Sequence, residues 1–146
     1  SHENGKRICR TLAIVSFHES IPEELSIPLQ AIEQGSSLGA TLKEAGWVIE
    51  KHHQFFGELA TGNRFRDLAA LDTQSSNSDC ALHIYVLWVI KEKTRIPFST
   101  IAEIHHPNYL KLKDLEKIYA KDLEGNLEAD KADLQMIEIA RSATEY

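Results

Sequence analysis

Apolar positions along the chain recur in two rhythms: near-alternation in four stretches, and a period near 3.6 in the segments between and after them. Ile8, Leu12, Ile14 and Phe17 stand among β-branched and polar neighbours, which predicts a first strand, Ile8–Phe17. Ser20 followed by Ile21, Pro22, Glu23 and Glu24 supplies a cap residue, an early proline and acidic residues where the helix dipole favours them. A helix is expected to start there and to break or restart at Pro28. Gly35 and Ser36-Ser37 read as a stop and a new cap, and Leu38, Leu42 and Ala45 as the stripe of a short helix ended by Gly46. Trp47–Phe56 has aromatic and β-branched ends around a polar middle and predicts a second strand. A helix from Phe65 to Leu71, capped by Asn63, leads into the Ser/Asn/Gln/Asp-rich run Asp72–Asp79, a loop expected to be disordered.

The strongest local signal is the pair of β-rich runs Ala81–Ile90 and Ile96–Ile104 around the charged turn Lys91–Arg95, an antiparallel hairpin. With Ile90 opposite Ile96, Trp88 meets Phe98, Val86 meets Thr100, Ile84 meets Ala102 and Leu82 meets Ile104, a nearly all-apolar row expected to be core. Burial of a side chain such as Trp88 or Phe98 contributes about 1.5–3 kcal/mol. On this register Trp88→Ala is expected to destabilise strongly and His83→Ala is not. After the turn His105-His106-Pro107-Asn108, Leu112, Leu115, Ile118, Tyr119 and Leu123 recur at helical spacing up to Gly125. Leu127, Leu134, Ile137 and Ala140 then give a second amphipathic helix. These elements predict an α+β fold: an antiparallel sheet of about four strands with amphipathic helices packed on one face.

The 146 residues suit one domain, 1–146, with residues 1–7 a disordered, tag-like start beginning Ser1-His2. No apolar run reaches the ~18 residues that suggest a bilayer span, so a soluble protein in the cytoplasm is the expectation. A net charge of −6 with no dense basic run makes nucleic acid an unfavourable partner. Cys9 and Cys80 form neither a disulfide framework nor a zinc-type spacing and read as buried free thiols.

Chemistry is sought on the hairpin row opposite the expected core, which carries His83 and Tyr85 on one strand and Ser99, Glu103 and His105 on the other. His83 falls across from Glu103, and His105 lies two residues along, so two imidazoles and a carboxylate can converge on a divalent metal. The plain alternative is a hydrogen-bonded His83–Glu103 pair with His105 a turn residue. Arg64 and Arg66 flank Phe65 and are suited to clamp a small carboxylate or phosphate, or simply decorate a solvated helix start. His52 and His53 point to opposite faces of their strand, and His106 precedes Pro107 as a turn-former. The chain has no Gly-x-Ser-x-Gly elbow and no phosphate-binding glycine loop.

The order of a helix ending at Gly46, the strand Trp47–Phe56, a connecting segment, and the hairpin Leu82–Ile104 with a proline entering its second strand resembles the chorismate lyase and UTRA group of ligand-binding domains. The resemblance covers about half of the chain and implies a small-molecule pocket against an antiparallel sheet. Its ligands would be chorismate-like acids, as in the lyases, or sugar and amino-acid effectors, as in the regulators. The lyase arginine has no counterpart at His52, His53, Gln54 and Phe55, so no catalytic residue is carried over. The leading expectation is a domain binding a small organic acid, lined by His83, Tyr85, Ser99, Glu103, Arg64 and Arg66 and needing no cofactor. The alternatives are a metal-dependent enzyme using His83, Glu103 and His105, and an interaction module pairing with itself or another protein.

Overall fold

Two alternating runs joined by a short polar turn must pair, and here they form the two central strands of the sheet. The computed structural model describes residues 2–3, 6–71, 79–119 and 129–146. A short ladder of β1 (His2–Glu3) and β2 (Lys6–Arg7) precedes a four-stranded antiparallel sheet. The sheet contains β3 (Thr11–Phe17), β4 (Val48–Ala60), β5 (Asp79–Lys91) and β6 (Thr94–His105), in the order β3-β6-β5-β4. A 3₁₀ turn (Glu23–Leu25) and the helices α1 (Ser26–Glu33), α2 (Leu38–Glu44), α3 (Asn63–Leu68), α4 (Leu112–Ile118) and α5 (Lys131–Ala143) complete an α+β fold. None of the described helices is long and apolar enough to cross a membrane. Ser1, Asn4 and Gly5 of the expected disordered start, the loop from Asp72 to Ser78, and Leu123, Gly125 and Leu127 lie outside the described residues.

Helix ends follow local chemistry. Pro28 does not interrupt α1: it is the helix's third residue, where its missing N–H has no intrahelical acceptor to lose. The acidic pair expected to open that helix forms the 3₁₀ turn before it. Gly46 ends α2 with φ +90°, a conformation L side chains avoid. Asp130 and Asp133 cap α5 reciprocally: Asp133 N–H donates to Asp130 Oδ1 at 2.8 Å and Asp130 N–H to Asp133 Oδ2 at 3.1 Å.

The chain gathers into two compact units, Ser1–Ile14, Gln54–Ile84 and Ala102–Tyr146 in the first, and Val15–His53 and Tyr85–Ile101 in the second. In the first, Cys80, Leu82, Ile84, Ala102 and Ile104 pack with Leu59, Phe65 and Ala69 and with Met136 and Ala140 of α5. There Ala81, the alternate row of β5, packs with Phe56 and with Leu115 of α4. In the second, Leu87, Val89, Tyr85 and Phe98 form a core with Leu25, Leu42, Trp47 and Ile101.

The row shared by Leu82, Ile84, Ala102 and Ile104 is core, as expected, but the rest of that row is not. Val86, Trp88 and Ile90 are half-buried, while Leu87 and Val89 are 1% and 0% exposed. Toward the turn the packed neighbours lie on the alternate row, where Leu25, Leu42 and Trp47 cluster with Leu87 and Val89. Lys91, Thr94 and Arg95 belong to the strands, leaving only Glu92 and Lys93 as loop, and a two-residue loop sets Lys91 opposite Thr94. Counting back, Phe98 lies opposite Leu87, and Trp88 opposite Pro97 rather than Phe98. Phe98 and Ile101, three residues apart, both enter the second unit's core, so β6 breaks its two-residue period between them as a β-bulge does.

Leu87→Ala is expected to cost about 2–5 kcal/mol and Phe98→Ala about 3–5 kcal/mol, with Trp88→Ala costing less than either despite the larger side chain. Urea unfolding of the three variants checks this; Trp88→Ala as the most damaging would restore the other register.

Candidate functional site

Side chains read as one site are distributed between the two units. Tyr85 and Ser99 belong to the second, where both are buried and Lys51 Nζ lies 4.7 Å from the Tyr85 ring centroid. His83 and Glu103 belong to the first. His83 is fully buried: its ring stacks on Phe56 at 4.5 Å with 12° between planes, and Tyr119 lies 4.7 Å away. Its Nε2–H donates to Gln54 Oε1 at 2.7 Å. This is an imidazole held by packing and an amide, because a buried polar ring must find a hydrogen-bonding partner.

Glu103 and His105 do come together, with Oε2 and Nε2 at 3.6 Å, an electrostatic contact rather than a hydrogen bond. Thr11 Oγ1 meets His105 Nδ1 at 3.2 Å. Among the described residues no three His, Cys, Asp or Glu side chains form a group able to hold a metal, so His83, Glu103 and His105 do not assemble into the ligand set their spacing suggested. The cause is that His83 turns to Gln54 and Phe56 while His105 turns to Thr11. His106 is structural, its Nε2–H donating to Ala69 O at 2.8 Å and its Nδ1 accepting from Asn108 N–H at 3.1 Å.

Arg64 and Arg66 each reach a backbone carbonyl. Arg64 Nη1 donates to Ala143 O at 3.0 Å and Arg66 Nε to Thr61 O at 3.4 Å. The C-terminal residues also cover the start of α3, where Thr144 O accepts from Phe65 N–H at 3.1 Å and Thr144 Oγ1 from Gly62 N–H at 2.9 Å. Cys80 is buried and Cys9 half-buried, and burial pushes both thiols up, away from the reactive thiolate.

In the second unit Glu50 Oε1 accepts from His52 Nε2 and Arg95 Nη1, both at 2.9 Å, beside the Trp88 ring. Arg95 Nη2 is also 3.0 Å from His52 Nε2, but that nitrogen cannot donate and accept at once, and the carboxylate takes its proton. These donors hold the Glu50 carboxyl below the usual carboxylate range, the His52 hydrogen bond foremost. His53 is exposed, with φ 53°.

Arg7 and Arg10, on the segment entering β3, share a cleft. With Ile8, Cys9, Thr11 and Leu68 they line a cleft of about 420 Å³ in the first unit. Cys9 N–H donates to Leu68 O at 2.7 Å, which ties the arginine-bearing segment to the end of α3. The Arg10 guanidinium carbon lies over the Tyr109 ring, 4.0 Å from its centroid, a cation–π contact. Among the described residues neither arginine has a carboxylate within ion-pair distance. The only hint in the sequence is two guanidinium groups three residues apart around Cys9. Compared with protein families, curated proteins and solved structures, the chain matches none.

His83→Ala is expected to cost about 2–4 kcal/mol and Gln54→Ala about 1–3 kcal/mol in urea unfolding. A neutral His83→Ala would mean the imidazole is not packed as described. For Glu50 the folded-state pKa is depressed, so its contribution is present above the ordinary carboxylate pKa of about 4.3 and is lost as pH falls through the lower folded value. The melting-temperature gap between wild type and Glu50→Gln should therefore be open at neutral pH and close on the acid side; a gap independent of pH would remove the charge from the account.

Proposed function

We propose that this chain is a small-ligand-binding α+β domain whose ligand is a small organic acid held by Arg7 and Arg10. One observation carries the reading: two guanidinium groups share a cleft of about 420 Å³, with no carboxylate partner for either among the described residues. That volume lies within the range of small-molecule sites, and a guanidinium offers a planar fork of donors that matches a carboxylate. Ile8, Cys9 and Leu68 add apolar residues to the lining for the body of the acid, and Thr11 completes it. Arg10, already stacked on Tyr109, loses less freedom on binding than a free arginine. Carboxylate ligands also agree with the resemblance in element order to chorismate lyases and UTRA domains. Two free thiols suit a reducing cytoplasm, where we place the protein.

Succinate and benzoate, each beside its neutral amide, are the probes for a thermal-shift series on wild type and on Arg7→Met/Arg10→Met, which keeps the side-chain stems. An acid present at about a hundred times its Kd stabilises the fold by about 2.7 kcal/mol. Wild type should respond to the acids and not to the amides, and the variant to neither. Unresponsive wild type, or a response that survives in the variant, sinks the proposal.

A further inference from the structure

The second unit carries a cleft of its own, and its chemistry is opposite in sign. About 410 Å³ in volume, it lies against α1 and α2, with Ile27, Ala31, Ala45 and Trp47 among its apolar lining. Trp47 is 3% exposed and forms part of the wall as a fixed core residue, whereas Ile27 is 79% exposed, an apolar side chain that the fold leaves in water beside the opening.

Three charged groups border this cleft, and one is already engaged. Lys91 Nζ donates to Ala45 O at 3.0 Å and lies 5.6 Å from the centroid of the Trp47 ring. Its stem crosses Gly46, where an added Cβ would sit 3.4 Å from both Lys91 Cε and Nζ. Glu24 and Glu44 are exposed, and among the described residues neither has a basic side chain within ion-pair distance. A carboxylate ligand entering here meets two unneutralised carboxylates and a lysine held by a carbonyl. An ammonium ion meets two acceptors, and its apolar body finds Ile27, Ala31, Ala45 and the Trp47 ring.

We propose that the cleft bordered by Glu24 and Glu44 binds a small organic ammonium compound with an apolar body. The site is independent of Arg7 and Arg10, and its success or failure leaves the acid site untouched.

The test uses the full chain and three probes of one length: n-hexylammonium, hexan-1-ol and hexanoate. Amide and indole N–H signals are followed by two-dimensional NMR, with the Trp47 and Trp88 indoles distinguished through Trp88→Phe. Hexylammonium should shift Trp47 and the amides of Ile27, Ala31 and Ala45. It should bind about three- to tenfold more tightly than hexanol, the size expected of one or two exposed ion pairs, with hexanoate weakest. Glu24→Gln/Glu44→Gln, two exposed changes whose spectrum reports the fold directly, should bring hexylammonium to the level of hexanol while hexanol itself is unchanged. Equal binding of all three, hexanoate as the tightest, an unchanged ammonium preference in the double variant, or shifts absent from this cleft would each overturn the proposal.

Discussion

The pairing of β5 with β6 around Glu92 and Lys93 decides which side chains of both units are core. A two-residue loop leaves no freedom in the register: Leu87 and Val89 fall on the row of Phe98 and Ile96, and one residue of slip would send them to the other side of the strand. Glu92 accepts φ 56° to make that turn, a left-handed conformation that a side chain without local compensation disfavours by about 1–2 kcal/mol. That strain is small beside the apolar side chains the register buries, each contributing about 1.5–3 kcal/mol. A second left-handed residue, His53 at φ 53°, lies within β4. Trp47 and Ile49 before it belong to the second unit's core, and Phe55 and Leu59 after it to the first unit's.

Once the rows are fixed, the chemistry of the histidines follows. The row of β5 expected to face a pocket begins with Ala81, which packs with Phe56 and Leu115, and His83 is covered by Phe56 and Tyr119. An imidazole enclosed this way is held by its ring contacts and by the Gln54 amide. Guanidinium groups remain charged and stay at the surface. Arg64 and Arg66 each give one donor to a backbone carbonyl, of Ala143 and Thr61, while Arg7 and Arg10 border a cleft.

Element type was legible in the sequence because alternation and helical spacing are local. Strands are found at each of the four alternating stretches, and α2 runs from Leu38 to its glycine stop. What was not legible depends on one residue more or less. Lys91–Arg95 reads as a charged turn by composition, yet strand pairing extends through Lys91 and resumes at Thr94, which sets Trp88 opposite Pro97 instead of Phe98, and the row covered near the turn is the one carrying Leu87 and Val89. The Pro28 signal was real but positional: proline ends a helix in its interior and is harmless in its first turn. The arginine cleft could not be read at all, because Leu68, which completes it, is about sixty residues from Arg7 in sequence.

Thr11 lines the arginine cleft and also touches His105, which faces Glu103, so a hydroxyl, an imidazole and a carboxylate stand in line beside the proposed acid site. Such a line is the geometry of an activated nucleophile. Its origin here is simpler. His106 N–H donates to Arg10 O, a local pairing that sets Thr11 opposite His105 on neighbouring antiparallel strands. Cross-strand neighbours of this kind meet whatever their function. The 3.6 Å gap to Glu103 is also longer than the bond by which a carboxylate orients a catalytic imidazole. Pairing alone accounts for the contact, and the same ladder that brings these groups together also carries Thr11 to the edge of the cleft.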